Sequence, residues 1–238
     1  DHRDLHSFPT RRSSDLATFG PVDFESGCIT TTPKQGWQNF PLRTSLEQAL
    51  GVRVGFETDV NGAALAEARC GAGRGFDDLV YFTVGTGIGG GALSGGQLVH
   101  GLMHSEMGHL LVREAAEEVE GFQGVCPYHG NCLEGMASGP SMEARWGVPA
   151  SQLPPEHTAW RVEADYLAQA CVNVACVLSP QVVVLGGGVM GQSHLLEMVR
   201  QRAGELCNGY LPLPRMEAPG LEYPGLSGAL LLAMEAAR

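Results

Sequence analysis

Cationic residues are scarce in this chain. Lys and Arg number 15 against 26 Asp and Glu in 238 residues, for a net charge of −11. A field of that sign repels nucleic acid and anionic membrane, and an anionic nucleotide would need a metal ion and backbone donors to bind here. No apolar run reaches the length of a membrane-spanning helix. The 7 cysteines are scattered, and only Cys126 and Cys132 share a recognisable spacing. That pattern argues against the disulfide framework of a small secreted domain and leads us to expect a reducing, cytoplasmic setting. There is no internal repeat and no low-complexity tract, and Gly186–Gly188 lacks the G-x-G-x-x-G spacing of a dinucleotide site. Glycine, by contrast, is plentiful: 33 residues, clustered in runs that suggest close approach of backbone to a ligand. With 44% hydrophobic residues, the chain can bury one large core or two modest lobes.

The first sixteen residues, DHRDLHSFPTRRSSDL, show no hydrophobic period. They are codon for codon what a common sequencing-adapter oligonucleotide encodes, so residues 1–16 are expected to be foreign to the fold and the native part to begin at Ala17.

From Ala17 to Leu42 the chain is rich in turn residues and develops no helical period. Thr44–Leu50 predicts a short helix capped by Thr44 or Ser45, and Val52–Glu57 a strand with Val52, Val54 and Phe56 on one face. Asp59 then opens an Ala-rich helix running to about Ala72. Leu79–Val84 predicts a strand, Gly85–Gly91 a glycine-rich turn, and a second strand runs to Ser94. Gly95-Gly96 then turns the chain into a third strand at Gln97–Val99. Further on come a helix over His157–Leu178 ended by Ser179-Pro180, a buried strand at Val182–Leu185, Gly186–Gly188 leading into another helix, and an apolar helix over Gly225–Arg238.

Four groups of residues have chemical potential. Cys126-Pro-Tyr-His129-Gly-Asn-Cys132 is a C-x2-H-x2-C spacing that can wrap a tetrahedral zinc, with His109 upstream as the natural fourth ligand. Four protein ligands leave no open position, which makes such a site structural. Asp59, directly after a strand, is either a helix cap or a general base aimed at a hydroxyl. Gly85-Thr86-Gly87 and Gly186-Gly187-Gly188 are either tight turns or places where backbone N–H groups meet phosphate and a flat glycine floor meets a purine. Glu106 and Glu134 are either solvated or acceptors for sugar hydroxyls.

Read together, TDVNGAALAE (Thr58–Glu67), TVGTGIGGG (Thr83–Gly91), EMGH (Glu106–His109), CPYHGNCLEGMASGP (Cys126–Pro140) and VVVLGGGVM (Val182–Met190) resemble, in order, the motifs of the ROK family of sugar kinases and repressors. The resemblance covers nearly everything after Ala17. It implies an α/β, actin-like ATPase (ribonuclease H-like) fold of two lobes with the N-terminal lobe incomplete. Residues 17–57 would be the remnant of the small lobe, 58–225 the large lobe with its zinc loop, and 226–238 a helix packing back on the small lobe. It makes Asp59 the catalytic base, and places Glu106, His109 and Glu134 on the sugar hydroxyls, with Gly20 and Pro21 in the sugar-side loop. Gly85, Thr86 and Gly87 would meet the phosphates, Gly186, Gly187, Gly188 and Pro140 the adenosine, and His109, Cys126, His129 and Cys132 a structural zinc. TTPKQGWQNFPL and the Cys-His-Cys loop look most like the bacterial fructokinase branch, which implies ATP, Mg²⁺, a hexose substrate (fructose before mannose or glucose) and a homodimer. A sugar-sensing transcriptional regulator is the alternative the same motifs allow, and the acidity argues against its DNA contact.

The chain departs from the family pattern at Thr58, where Asn is usual, and in having no Asp-x-Gly-x-Thr phosphate loop upstream. On the sequence alone, the chain as written is therefore expected to lack kinase turnover, and a complete protein to have it.

Overall fold

The structure, a computed structural model, describes residues 13–236. Strand β1 (Ser13–Thr18) lies parallel to β4 (Arg53–Thr58), with Leu16 opposite Phe56 and Thr18 opposite Thr58. Between them run a short antiparallel pair, β2 (Val22–Asp23) and β3 (Cys28–Ile29), and helix α1 (Leu42–Leu50). After α2 (Asp59–Cys70) comes a larger sheet of five strands: β5 (Leu79–Val84), β6 (Ile88–Ser94), β7 (Gln97–Leu98), β8 (Val182–Gly186) and β9 (Arg215–Glu217). Its order is β7-β6-β5-β8-β9, antiparallel across β7-β6-β5 and parallel across β5-β8-β9. The remaining helices are α3 (Leu133–Ala137), α4 (Gly139–Trp146), α5 (Ala159–Leu178), α6 (Leu195–Cys207) and α7 (Pro224–Ala236).

LVYFTV and VVVLG carry no polar face because both faces of the central strands are covered. Val80, Phe82, Val84, Val183 and Leu185 join one core with Leu133, Trp160, Leu167 and Leu195 of the helices on that side. Leu79, Tyr81, Val182 and Val184 join the other with Ala63, Ala64 and Leu65 of α2 and Leu231 and Leu232 of α7. The period of two in a strand thus divides one apolar run between two helix layers. Helix α7 packs on α2, β1 and β4. It crosses α2 backbone to backbone: a Cβ at Gly228 would stand 2.1 Å from the Gly62 carbonyl oxygen. The fully buried Glu67 holds this corner, its carboxylate accepting the N–H groups of Ala72 (2.7 Å), Gly220 (2.9 Å) and Leu221 (3.1 Å).

One expectation is corrected, the start of α1, and one strand reaches outside the expected native part. Strand β1 includes Ser13–Leu16, from the segment set apart on sequence grounds. Ladder hydrogen bonds come from peptide groups, so an extended chain of almost any composition can pair with β4. Residues 1–12 of that segment lie outside the described residues. Helix α1 starts at Leu42 and has no side-chain cap. Its entry is set by the Ile29–Phe40 bridge and by Arg43 N–H donating to the Gly27 carbonyl (3.1 Å), while the Ser45 hydroxyl donates back to the Pro41 carbonyl (2.8 Å).

Candidate active site and metal centre

Asp59 stands where β4 passes into α2. The cap of α2 is Thr58, whose hydroxyl oxygen accepts the Asn61 N–H at 3.2 Å, so Asp59 is the first helical residue and not the cap. Its Oδ1 accepts the Val60 N–H at 2.9 Å. Burial raises the pKa of Asp59 above 3.8, while the Val60 N–H and the charge of Lys34 pull the other way. The turn beneath it is braced by Glu57. Oε1 accepts the Thr58 N–H (2.8 Å) and the Asn61 amide (2.9 Å), and Oε2 pairs with His100 Nε2 (2.8 Å).

Gly20 and Pro21, joined by a cis peptide bond, lie against His104. The Val22 N–H donates to His104 Nε2 at 3.1 Å, which requires the ring proton on Nδ1, where it faces the Ser105 carbonyl at 3.3 Å. Burial lowers the His104 pKa and so favours this neutral ring. A Cβ on Gly20 would stand 2.6 Å from the His104 ring and 2.9 Å from Glu106 Oε1, so only glycine lets loop, ring and carboxylate meet. Glu106 is pushed up to about 7, first by burial and then by the charges of Glu134 and Asp59. A ligand that needs its carboxylate as acceptor must therefore displace a proton near neutrality. Affinity for a ligand whose hydroxyl donates to Glu106 is expected to rise with pH through about 7 and level off above it, and Glu106→Gln to abolish that rise. Calorimetric titration at several pH values checks this; a flat wild-type profile would show that Glu106 does not titrate on binding.

The sequence-predicted metal ligands come together. One ligand atom each from His109, Cys126, His129 and Cys132 lies within 4.8 Å of all the others. His109 Nδ1 is 3.3 Å from Cys132 Sγ and 3.7 Å from Cys126 Sγ, and His129 Nδ1 is 3.7 Å from Cys126 Sγ. Zinc bonds of about 2.3 Å to sulfur and 2.0–2.1 Å to nitrogen in a tetrahedron require S···N separations of about 3.6 Å, so the donor set and spacing fit that ion. Burial pushes the Cys132 thiol up to about 11, a cost that coordination to a cation reverses. Because His109 turns Nδ1 into the cluster, its Nε2 is left for a second partner.

Cys132 is the N-cap of α3, and Glu134 follows in its first turn. The Glu134 carboxylate reaches back to the β5–β6 hairpin, where Oε2 accepts the Ile88 N–H at 2.9 Å. Thr86 is the exposed tip of that hairpin, and the Gly85 carbonyl accepts the Gly139 N–H at 2.7 Å, beside Pro140 at the start of α4. A Cβ at Gly85 or Gly188 would meet nothing within 4 Å, so both present open backbone. Gly187, at φ +94°, instead packs on β5, where a Cβ would stand 2.4 Å from the Val84 carbonyl oxygen. Gly186 is likewise committed to packing, against the Tyr81 hydroxyl.

The model of the ROK family matches residues 6–236. The chain belongs to the ROK family. It is 41% identical over 236 residues to a protein named fructokinase from Zymomonas mobilis, covering 94% of this chain and 78% of that one. Its fold matches a ROK hexokinase from Thermus thermophilus with a TM-score of 0.80 at 31% identity, over 95% of this chain and 80% of the other. It also matches a ROK glucokinase from Streptomyces griseus, solved with glucose and AMPPNP, with a TM-score of 0.74 at 26% identity over 92% and 80%. The actin-like ATPase fold expected from the ROK motifs is thus the fold observed. The family match begins at residue 6, inside the segment expected to be foreign.

Sequence reasoning missed three parts of this ROK site. His104 and the Glu57–His100 pair went unremarked, although two histidines four residues apart ahead of EMGH are a visible signal. Lys34 also went unremarked. Its ammonium lies 3.4 Å from the Phe19 ring centroid, in a group where Phe19 and Phe40 both pack edge-on against Trp37.

Proposed function

We propose that the protein is an ATP-dependent hexose kinase that transfers the γ-phosphoryl group of ATP to the 6-hydroxyl of fructose. The observation that carries the reading is 41% identity across nearly the whole chain to a protein named fructokinase, and it is supported by an Asp59 carboxylate that is free of capping duty. In this mechanism Asp59 accepts the proton of the hydroxyl as its oxygen attacks phosphorus, the bond to ADP breaks, and the proton leaves on Asp59. Glu106, Glu134 and His109 Nε2 bind the other hydroxyls, with Gly20 and Pro21 closing that side. Gly85, Thr86 and Gly87 approach the phosphates and Gly186–Gly188 with Pro140 the adenosine, Gly85 and Gly188 through open backbone and Gly186 and Gly187 by packing that turn against Tyr81 and Val84. Mg²⁺, when bound with ATP, neutralises charge on the phosphates. Cys126, His129, Cys132 and His109 hold a structural zinc. A cytoplasmic homodimer is the proposed setting; no helix of the described residues is long and apolar enough to cross a membrane. The regulator alternative has no observation in its favour comparable to the fructokinase likeness.

The test is ATP-dependent phosphorylation of fructose, mannose and glucose by the full-length gene product. Fructose is expected to give the highest kcat/KM. Equal or better turnover of glucose would overturn the fructose assignment, and turnover of no hexose would overturn the kinase.

A further inference from the structure

We infer that Glu134 is a positioning brace shared by the sugar side and the β5–β6 hairpin, so that a polyol bound at Glu134 also sets the hairpin that approaches phosphate. The inference rests on the functional reading above and assigns it a coupling device. The two carboxylate oxygens have separate surroundings. Oε2 accepts the Ile88 N–H at 2.9 Å, whereas Oε1 has no protein hydrogen bond among the described residues and is left for a ligand. Gly87 makes the first contact possible, since a Cβ there would stand 2.6 Å from Oε2. This glycine therefore serves the approach of a carboxylate, a duty distinct from the approach of phosphate usually read into glycine-rich turns. The other end of the turn is held independently by the Gly139 N–H on the Gly85 carbonyl, and the turn is closed by the Gly85 N–H on the Gly87 carbonyl at 2.9 Å. A hairpin fixed at one end and braced at the other by a ligand-binding side chain has a position that depends on that side chain. The resulting effect is a coupling free energy between two ligands, and it is reciprocal.

The experiment uses Gly87→Ala, Glu134→Gln and Glu134→Ala. Gly87→Ala is expected to fold, because the atom its methyl meets is the far end of a flexible side chain that can swing away. Swinging away breaks the Ile88 bond. Fructose and AMPPNP affinities are measured alone and together by calorimetry. Wild type is expected to bind AMPPNP more tightly with fructose present. Gly87→Ala is expected to lose about tenfold in fructose affinity, comparable to one hydrogen bond to a charged group, and most of that enhancement. Glu134→Gln, whose amide oxygen still accepts from Ile88, should keep part of it. A Gly87→Ala protein whose fructose affinity stays within twofold of wild type while AMPPNP weakens would overturn the brace. Hydrogen exchange of the Ile88 amide judges the brace without any ligand. Protection in wild type and Glu134→Gln that is lost in Glu134→Ala and Gly87→Ala supports it, and equal exchange in all four overturns it. Failure of wild type to bind any hexose would overturn the functional reading, while the exchange result still decides the brace.

Discussion

Replacing Asp59 by Asn is expected to cut kcat by about 10²–10⁴ while leaving the fructose Kd within about threefold. The amide keeps an oxygen that can accept the Val60 N–H, and the cap of α2 is Thr58, so the helix start should survive the change. Glu57 continues to brace the turn through Thr58 and Asn61. What the amide cannot do is take a proton. A thousandfold loss corresponds to about 4 kcal/mol of transition-state stabilisation, larger than any ground-state hydrogen bond this residue makes. Wild-type kcat/KM should also fall on the acid side as Asp59 is protonated. Burial places that limb above the ordinary 3.8, and it should be absent from the residual activity of the variant. The measurement is steady-state kinetics on the full-length gene product with a parallel binding titration. A loss confined to KM would show that Asp59 only binds the sugar.

The second large effect concerns the metal centre. Wild-type protein is expected to retain close to one zinc per chain after dialysis, and Cys126→Ser combined with Cys132→Ser to retain none. The variant is expected to melt roughly 10 °C lower, at 2–4 °C per kcal/mol for a domain of this size and several kcal/mol of metal-linked folding energy. The reason is the irregular segment between β7 and α3, where the only helical element among the described residues is a single 3-10 turn at Met107–His109. A segment that long with little regular structure would gain much of its order from a metal cross-link between His109 and the 126–132 loop, whose ligand atoms lie together. Glu106 lies three residues before His109 and Glu134 two after Cys132, so both should loosen when the metal leaves and fructose affinity should drop with it. Zinc analysis by mass spectrometry, thermal melts and titrations check this. Stoichiometric zinc in the double variant, or an unchanged melt on its loss, would remove the centre from the account.

How much was legible beforehand depended on sequence distance. The C-x2-H-x2-C loop packs its ligands into seven residues, so its spacing alone brings them to one point, and only His109 had to be recruited from farther away. The strands LVYFTV and VVVL and the glycine hairpin were readable because local periodicity and turn chemistry act over a few residues. The start of α1 was not, since it is set by a bridge from Ile29 to Phe40, eleven residues apart and outside any helical pattern. Nor could the sequence say which residue caps α2; that took the Thr58 hydroxyl accepting the Asn61 N–H, which frees Asp59 of the capping role. The His104 acceptor for Val22 spans 82 residues, and the Glu57–His100 pair 43. Glu134 meets Ile88 across 46 residues, and that meeting gives Gly87 its purpose. Spacing along a chain carries no information about such contacts. They are decided by how the sheets and their helices stack, and only then does a side chain find the partner that defines its work.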